Sequence, residues 1–250
     1  MFDLRQFAAL APDWYVRLHY HDELDSTNDE ARRLAEAGAE HGTVVLCDHQ
    51  TAGRGRRGAS WVCEPGDGLL FSMVVRPTFP QTMWSRIALA SGIGITEALN
   101  HKWAAEAQVK WPNDIYIQNR KCAGILTEAR EDFVIVGIGI NVMSAPSSGD
   151  ARMDAVAVAD VVSGQISREL VLALLLQGVL DEVEACAEGF DGQLRRLQQH
   201  CYLRGKRIRF VAHEKDFTGL VTGLNAEGAL LVEVDGEAKS FSQAAEITLI

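Results

Sequence analysis

Three strand-like runs follow one another between Gln108 and Met143, with short polar turns at residues 118–120 and 130–132 between them. A parallel βαβ crossover needs about a dozen residues or more between its strands, and turns this short do not supply them. The runs therefore predict an antiparallel meander. Because Pro112 has no backbone N–H to donate, we expect a break within the first run.

Helical patterns lie before and after these strands. A capping-box pattern at residues 26–29 opens a first helix. Residues 83–102 and 167–200 also carry apolar side chains at helical spacing, with an interruption expected around residues 189–192. Two glycines weaken the 83–102 helix by about 1 kcal/mol each unless something packs closely against them, so we predict that it is buried. Residues 144–163 are predicted to form a loop.

The C-terminal part of the chain changes to short strand-like runs. These are Arg207–Val211, Phe217–Leu224, Leu230–Val234, Lys239–Phe241 and Ile247–Leu249. Asp235-Gly236 between two of them is a strong hairpin signal, and such a series indicates a small closed or half-closed barrel. We therefore predict an α+β fold, with a mixed, largely antiparallel sheet and helices in residues 1–203 and a small β-barrel in residues 204–250.

Composition narrows the classes of protein to which the chain can belong. Its 250 residues carry a formal net charge of -10 at pH 7, and no run of lysine or arginine exists outside one loop. General binding to nucleic acid or to a membrane surface needs a broad cationic face, which this composition does not provide. We therefore expect neither DNA nor a membrane among its partners.

Cysteine usage and the N-terminus predict a cytoplasmic location. The five cysteines include no C-x-x-C pair, so they predict neither a disulfide framework nor a cysteine zinc site. Residues 1–14 lack the cationic start and long apolar core of a signal peptide, and no apolar stretch of about 20 residues exists to span a bilayer. His19 and His21 lack a third ligand nearby, so we predict a surface pair and assign no metal ligand.

Residues 51–61 form a glycine-rich loop that carries Arg54, Arg56 and Arg57. Glycine permits positive φ and close backbone approach, while guanidinium groups are rigid forks of donors that match phosphate and carboxylate oxygens. The loop is therefore a candidate anion site. A solvated flexible loop is the other interpretation, and the arginines alone do not decide between the two.

Two nucleotide-binding motifs match this loop only in spacing. Its glycines have the G-x-G-x-x-G spacing after a predicted strand at residues 43–49, but no helix is predicted in residues 60–68, where a dinucleotide-binding turn needs one. Two of the glycines also have the P-loop spacing, yet Ala59 stands at the position of the P-loop lysine. Both motifs are therefore excluded.

Two further clusters are candidates for ligand contact. Strand alternation sends Val109 and Trp111 to one face and Lys110 to the other, so we assign Trp111 to the core, while Lys110 is either solvated or directed at a ligand. Residues 112–114 form a turn whose polar side chains either face a ligand or cap the backbone. Repeated glycine in residues 137–141 indicates either close backbone packing or the approach of a ligand.

Taken in order, these motifs resemble the motif set of the biotin protein ligases. The resemblance spans residues 26–141 and rests on Ser26-Thr27-Asn28, Gln50, Gly53 to Gly58, Lys110 to Asp114, Arg120 to Leu126 and Gly137 to Asn141. It implies the class II synthetase-like catalytic fold of the biotin and lipoate ligases, followed by an SH3-like C-terminal domain. Because the chain starts almost directly at the catalytic region, the resemblance is to monofunctional members that lack the DNA-binding domain, and no repressor function is expected.

The resemblance also implies a reaction. Such ligases use ATP and Mg²⁺ to convert biotin to biotinoyl-5'-AMP with release of pyrophosphate, because a free carboxylate is a poor acyl donor. They then transfer the biotinoyl group to a specific lysine of a biotin carboxyl carrier protein or domain and release AMP. The partners implied are biotin, ATP and this acceptor, and a homodimer is left open.

The resemblance implies roles for individual residues. The implied catalytic residues are Lys110, Arg56 and Arg54. The implied biotin contacts are Ser26, Thr27, Asn28, Gln50, Arg54, Gly55, Arg56, Lys110 and Gly124. The implied ATP and adenylate contacts are Arg54, Arg56, Arg57, Trp61, Lys110, Asn113 and Asn141.

Two other functions stay open on the residues alone. A lipoate-protein ligase would share the fold and the adenylate chemistry, but the chain has no match to the arginine-arginine-x-x-glycine-glycine pattern of that family. A nucleic-acid-binding module could use the glycine-arginine loop, and it would bind in a salt-sensitive manner. Exchange of pyrophosphate into ATP, dependent on biotin or on lipoate, separates the three functions.

Overall fold

The computed structural model describes residues 1–146 and 155–250 and forms an α+β fold. The first sheet contains β1 (Leu18–Leu24), β2 (Val44–Gln50), β3 (Gly68–Val75), β4 (Gln108–Lys110), β5 (Asp114–Ile117), β6 (Arg120–Ala129) and β7 (Val134–Asn141). The α-helices of the described residues are α1 (Leu4–Leu10), α2 (Pro12–Tyr15), α3 (Thr27–Glu36), α4 (Ile87–Trp103), α5 (Val158–Val161), α6 (Arg168–Ala185) and α7 (Asp191–Gln199). Short 3₁₀ segments lie at Arg56–Gly58 and Gln81–Arg86.

The first sheet has seven strands in the order β1-β2-β3-β7-β6-β5-β4. β1 and β2 are parallel, and every other neighbouring pair is antiparallel, which confirms the mixed, largely antiparallel sheet. The meander is confirmed but contains four strands where three runs were expected. Lys110 pairs with Asp114 across a turn that contains Pro112, so the proline divides the first run into two strands.

The predicted helices are present with shifted ends. α3 begins directly after Ser26, and α6 and α7 are separated around Gly189. α4 is buried because it packs closely on α6: a Cβ atom built on Gly94 would lie closer than 3.0 Å to the backbone of Gly178. Glycine therefore allows a contact that offsets its weak helix propensity. No helix within residues 1–146 and 155–250 has the length and apolar character that crossing a lipid bilayer requires.

The loop predicted at residues 144–163 is wrong in part. Residues Val158–Val161 form α5, and Val156 and Ala157 are fully buried. The backbone N–H of Val156 donates to the carbonyl of Lys121 at 3.0 Å, which fastens this segment beside β6. Residues 147–154, where the composition is richest in serine and glycine, lie outside the described residues.

A second sheet follows the helices, as predicted. It contains β8 (Arg207–Ala212), β9 (Lys215–Leu224), β10 (Leu230–Val234), β11 (Glu237–Phe241) and β12 (Ala245–Leu249), in the order β11-β10-β9-β8-β12. Asp235 and Gly236 have φ angles of 54° and 80°, which confirms the tight hairpin between β10 and β11. This small β-unit matches the expected SH3-like domain.

The two sheets share one apolar core. The indole N–H of Trp111 donates to the carbonyl of Gly228 at 3.0 Å, so the buried face of the β4–β5 turn is bonded to the second sheet. Trp111 is 3% exposed, which confirms its assignment to the core. Buried residues from both sides of the predicted domain boundary, between residues 203 and 204, belong to this one core. The division into two domains at that point stays a prediction.

A buried ion pair joins α6 to β2 of the first sheet, and the N-terminal segment bonds to the same carboxylate. Arg168 donates to Asp48 at 2.7 Å, with the two side chains 8% and 10% exposed. The second oxygen of Asp48 accepts hydrogen bonds from the Tyr20 hydroxyl at 2.9 Å and from the backbone of Phe2 at 3.1 Å. Burial by itself raises the pKa of Asp48, but the hydrogen bonds from Arg168 and Tyr20 outweigh it and hold this pKa below its usual range.

Arg168→Met is expected to lower the free energy of unfolding by about 3 to 5 kcal/mol, because it leaves a buried carboxylate without its cation. Urea unfolding at pH 7 measures the loss, with Arg207→Met at an exposed arginine as the control. The pKa of Asp48 is lower in the folded state than in the unfolded chain, where it is about 4. The ion pair therefore contributes fully to the free energy of unfolding above about pH 4, and this contribution is lost as the pH falls through the folded-state pKa. A variant as stable as the control at pH 7 would contradict this role.

Candidate active site

One cavity of about 700 Å³ collects nearly all of the predicted site residues. Its walls come from the start of α3, the end of β2, the 51–61 loop, the β4–β7 meander and β12. The predicted residues that line it are Ser26, Thr27, Asn28, Gln50, Arg54, Gly55, Arg56, Arg57, Trp61, Lys110, Asn113 and Gly124.

Asn141 is the predicted residue that the fold does not bring to the cavity. Its side chain is 2% exposed, and its amide donates to the carbonyl of Val156 at 3.4 Å. It lies at the end of β7, opposite Gly68 of β3. A contact of Asn141 with phosphate or Mg²⁺ therefore remains a prediction without support from the geometry.

A buried hydrogen-bonded cluster forms the polar wall of the cavity. The Gln50 side-chain oxygen accepts hydrogen bonds from the Thr27 backbone N–H at 2.8 Å and from the Thr27 hydroxyl at 3.1 Å. The Ser72 hydroxyl lies 2.8 Å from the Thr27 hydroxyl and 2.7 Å from the Asn28 side-chain oxygen. The cluster fixes the rotamers of these side chains before any ligand arrives. Sequence reasoning missed Ser72, because one serine in an apolar strand carries no signal.

Ser26 occupies the N-cap position of α3 with an extended backbone. The hydrogen bond expected from a capping serine is not formed, since its side chain accepts none from the first turn of this helix. Ser26 is 3% exposed and lines the cavity. Ser26 thus contributes to the cavity wall, and its hydroxyl is not used to cap α3.

Three glycines of β6 and β7 form a floor without side chains, namely Gly124, Gly137 and Gly139. Gly124 pairs with Gly139 across the two strands. A Cβ atom on Gly139 would lie closer than 3.0 Å to the Trp61 indole, and one on Gly137 would overlap the side chain of Asn28. The repeated glycines therefore allow a ring and a polar side chain to lie directly against the backbone.

Backbone hydrogen bonds give the 51–61 loop a defined shape. The N–H of Gly55 donates to the carbonyl of Ala59 at 2.6 Å, and the N–H of Trp61 donates to the carbonyl of Gly53 at 3.1 Å. Arg57, between the bonded residues Gly55 and Ala59, has a φ of 55°, in the left-handed region. The loop thus doubles back and carries Trp61 onto the glycine floor.

The three arginines of the loop have different surroundings. Arg54 pairs with Asp29 at 2.7 Å, and this hydrogen bond raises the pKa of Arg54 against the effect of burial. Half-buried Arg56 donates to the Asn113 side-chain oxygen at 3.0 Å, and burial together with neighbouring Arg57 lowers its pKa. Unlike Arg54, Arg56 pairs with no carboxylate of the described residues, so its half-buried charge is available to an anionic ligand.

Lys110 lies in the cavity on the opposite face of β4 from the core, as predicted. Its ammonium donates to the Tyr116 hydroxyl at 3.0 Å and lies 4.6 Å from the centroid of that ring. Burial lowers the pKa of Lys110, and the Asp114 carboxylate partly opposes this effect. A half-buried cation of this kind is worth more to a bound anion than the same charge in water.

Lys121 and Asp114 complete the charged wall. Asp114 belongs to the turn whose polar side chains were expected either to face a ligand or to cap the backbone, whereas no role was predicted for Lys121. The two side chains pair at 2.7 Å, and the Lys121 ammonium lies 5.5 Å from the centroid of the Trp61 ring. Strand alternation gave no signal for Lys121, because it would place this lysine on the face opposite Gly124. The register of β5 against β6 shifts between Ile115 and Tyr116, and this bulge brings Lys121 to the cavity together with Gly124.

β12 supplies a part of the cavity wall that no local pattern predicted. Glu246 and Ile247 line the cavity from the second sheet. The register of β12 against β8 shifts between Ala245 and Thr248, and Glu246 has a φ of 52°. A bulge re-aims side chains in this way, and it brings Ile247 to the cavity.

Comparisons with known proteins agree with this geometry. Residues 20–142 match the model of the biotin/lipoate A/B protein ligase family. The chain is 32% identical over 247 residues to the bifunctional ligase/repressor BirA of Bacillus subtilis, with 92% of this chain and 74% of that protein covered. It is 31% identical over 221 residues to the biotin–[acetyl-CoA-carboxylase] ligase of Mycobacterium tuberculosis, with 84% and 81% covered. The chain belongs to the biotin protein ligase family.

A solved structure supports the fold of this biotin protein ligase. The biotin protein ligase of Aquifex aeolicus, in complex with biotin and ATP, has a TM-score of 0.81 and 29% identity, with 93% of this chain and 98% of that chain covered. The expectation of an enzyme is confirmed. The Mycobacterium tuberculosis and Aquifex aeolicus proteins are both named as biotin ligases, so the lipoate alternative has less support.

Proposed function

We propose that this biotin protein ligase activates biotin with ATP and transfers the biotinoyl group to a lysine of a biotin carboxyl carrier protein or domain. The observation that carries the proposal is one cavity with two kinds of wall. The buried cluster of Thr27 and Gln50 suits a small uncharged polar ring. The cationic side chains of Arg56, Lys110 and Lys121 suit a carboxylate that becomes joined to a phosphate.

The polar wall accounts for selection of biotin. The ureido ring of biotin carries N–H donors and a carbonyl acceptor, which Ser26, Thr27 and Gln50 can meet with hydroxyl and amide groups. The dithiolane ring of lipoate has no such groups and would leave these side chains unpaired. A site built to hydrogen-bond its substrate strongly rejects an analogue that lacks the hydrogen-bonding groups.

In the first step a carboxylate oxygen of biotin attacks the α-phosphorus of ATP. The bond from this phosphorus to the oxygen that bridges to the β-phosphate breaks, and pyrophosphate leaves. Negative charge shifts among the oxygens of the α-phosphate during this exchange, so fixed cations at that point lower the barrier. Lys110 and Arg56 are placed for this role. Arg57 adds positive charge on the exposed side of the loop, while the guanidinium of Arg54 is already paired with Asp29.

In the second step the amine of the acceptor lysine attacks the carbonyl of biotinoyl-AMP. The carbon–oxygen bond to the phosphate breaks, AMP leaves, and the amine loses a proton as the amide forms. The adenylate must survive until the acceptor arrives, and exclusion of water protects such an intermediate. Trp61, against the floor formed by Gly124 and Gly139, is placed to cover it.

The residues present fit Mg²⁺ that arrives with ATP. Within the described residues no group of three or more histidine, cysteine or carboxylate side chains could hold a metal ion by itself. Mg²⁺ at nucleotide sites is usually held by one or two carboxylates together with substrate phosphates. Asp114 and Glu246 line the cavity and are the carboxylates that could take part. When bound, Mg²⁺ would neutralise phosphate charge.

The wider setting of the enzyme is also part of the proposal. Residues 1–203 are proposed as the catalytic domain and residues 204–250 as an SH3-like domain that adds β12 to the cavity. The formal charge of -10 supports the expectation that DNA is not a partner. A cytoplasmic location and a homodimer remain predictions.

Exchange of labelled pyrophosphate into ATP tests the proposed function. Biotin should support the exchange in the presence of Mg²⁺, whereas lipoate should not, and a lysine-bearing carboxyl carrier fragment should then become biotinylated. Exchange that requires lipoate would replace the proposal by the lipoate alternative. The absence of exchange with either acid would overturn the adenylation chemistry altogether.

Arg56→Gly is expected to release biotinoyl-AMP about 10- to 100-fold faster, because it removes a charge-assisted contact worth about 1.5 to 3 kcal/mol. The escaped adenylate should label lysines of bystander proteins. Quench and chromatography of enzyme-bound and free adenylate measure the release. Ala59→Gly adds flexibility to the same loop without removal of a charge, and it should retain the adenylate much better than Arg56→Gly. Equal retention by Arg56→Gly and the parent would count against this role.

A further inference from the structure

Lys110 is in contact with a series of side chains that lie outside the cavity. Its ammonium bonds the Tyr116 hydroxyl at 3.0 Å, and the rings of Tyr116 and Tyr202 lie 4.8 Å apart between centroids. The ammonium of Lys206 lies 3.3 Å from the centroid of the Tyr202 ring. Lys110, Tyr116, Tyr202 and Lys206 thus form one continuous column of contacts, here called the tyrosine column. It leads from the cavity to the start of the second sheet.

The backbone that carries Tyr202 also pairs with the strand that carries Lys110. The N–H of Val109 donates to the carbonyl of His200 at 2.8 Å, and the N–H of Tyr202 donates to the carbonyl of Val109 at 2.9 Å. β4 is a three-residue strand at the end of the sheet order, so this segment is its neighbour on the outer side. The position of β4 therefore depends on residues 200–206, which join α7 to the second sheet.

A lysine on so short a strand needs further restraint. Its four-carbon side chain is flexible and makes hydrogen bonds in many directions, so strand geometry alone does not place the ammonium. The Tyr116 hydroxyl supplies an acceptor, and Tyr202, 4% exposed, holds the ring of Tyr116 from the other side. Burial and the nearby Asp114 carboxylate raise the pKa of Tyr116, so its hydroxyl stays neutral and accepts from Lys110 without formation of an ion pair.

We propose that Tyr116 and Tyr202 are positioning residues that hold the Lys110 ammonium at the reacting carboxylate and α-phosphate. Through residues 200–206, the position of the second sheet is thereby coupled to the rate of adenylation. The inference rests on the proposed function, in which Lys110 acts on the first step. Neither tyrosine lines the cavity, which is why we assign both to positioning of Lys110 and not to contact with substrate.

The charged groups around Lys110 set the pH dependence of this arrangement. Asp114 on β5 favours the ammonium form of Lys110, and Lys121 on β6 partly neutralises that carboxylate at 2.7 Å. Lys206 at the junction and Arg56 in the loop are the neighbouring cations, and burial is the first cause of the lowered pKa of each. Removal of the Tyr116 hydroxyl takes away an acceptor for the ammonium, so the pKa of Lys110 should fall further.

The test compares adenylation by the full chain with that of four variants. Tyr116→Phe keeps the ring and removes the hydroxyl, while Tyr202→Leu removes the ring that supports it. Tyr202→Phe restores this ring, and Tyr15→Phe is a matched control at a tyrosine that is 43% exposed. The measurements are the single-turnover rate of adenylation from pH 6 to pH 10, biotin affinity by calorimetry, and the unfolding midpoint.

Tyr116→Phe should lower the rate constant about five- to tenfold, the loss expected for one hydrogen bond. Its biotin affinity should stay within about twofold of the parent, because the interaction is needed mainly in the transition state. The alkaline fall of its rate should begin at lower pH. Tyr202→Leu should also slow adenylation, and Tyr202→Phe should recover most of that loss, while Tyr15→Phe should match the parent.

Two results would overturn the inference while the proposed function stands. One is an active parent whose rate and pH profile are unchanged in Tyr116→Phe. The other is a Tyr202→Leu variant that loses biotin affinity and adenylation in proportion to its unfolded fraction, which would make Tyr202 merely structural. A parent without biotin-dependent exchange would instead overturn the proposed function, and this inference with it.

Discussion

Lys110→Ala is expected to lower the single-turnover rate of biotin adenylation by about 100- to 1,000-fold, the usual loss when one donor to a developing oxyanion is removed. The ammonium of Lys110 is half-buried in the cavity and is bonded to a neutral hydroxyl at 3.0 Å, so no full counter-charge competes for it at short range. Biotin affinity should fall by less than about tenfold, because most of the charge develops in the transition state. Rapid quench with labelled ATP and calorimetry with biotin measure the two effects.

Lys102→Ala is the matched control for this variant, since Lys102 is an exposed lysine in the last turn of α4. The parent should lose activity as pH rises through the pKa of Lys110, which burial places below the ordinary lysine value of about 10.4. Lys110→Ala should lack this alkaline limb. Unchanged single-turnover adenylation in Lys110→Ala would refute the role of this residue.

Gly137→Ala is expected to abolish measurable biotin binding and to lower the free energy of unfolding by about 1 to 3 kcal/mol, as overpacking of a filled core does. The added Cβ would overlap the side chain of Asn28. Asn28 cannot retreat, because it is 4% exposed and is bonded to the Ser72 hydroxyl at 2.7 Å and to the carbonyl of Leu126 at 3.4 Å. The collision therefore displaces the polar wall that Thr27 and Gln50 complete.

Calorimetry with biotin and urea unfolding measure both effects of Gly137→Ala. Gly192→Ala is the control, because a Cβ atom there meets only the end of a flexible arginine side chain at 3.9 Å, on a helix where alanine is favoured over glycine. It should be as stable as the parent or slightly more so. If Gly137→Ala bound biotin like the control, the glycine floor would have no part in ligand recognition.

Local sequence rules predicted the architecture because they act over a few residues. Turn length excluded βαβ units between Gln108 and Met143, and the Asp235-Gly236 pair marked a hairpin whose residues do have positive φ. These rules also placed a break at Pro112, which divides the first run into two strands. The same rules failed where distant packing decided the outcome, because buried Val156 and Val158 hold part of an expected loop in the core.

In the candidate site, too, some features follow from local sequence and others from contacts between distant segments. Alternation placed Lys110 opposite Trp111, and the glycines and arginines of the 51–61 loop made it a candidate anion site. Sequence could not show that Arg54 is paired with Asp29 while Arg56 is not paired with a described carboxylate, because those neighbours come from different elements. It also assigned Asn141 to the ligand, whereas the sheet buries that side chain away from the cavity.

The antiparallel meander, the glycine-arginine loop and the face of β4 that carries Lys110 follow from local sequence, since strand period, turn length and glycine conformation are properties of adjacent residues. Three features of the site emerge only when the chain packs: which charges remain available, that Ser72 completes the polar wall, and that β12 and residues 200–206 reach the site. These features depend on contacts between segments far apart in the chain. Burial and charge pairing there are set by the packing of the whole fold.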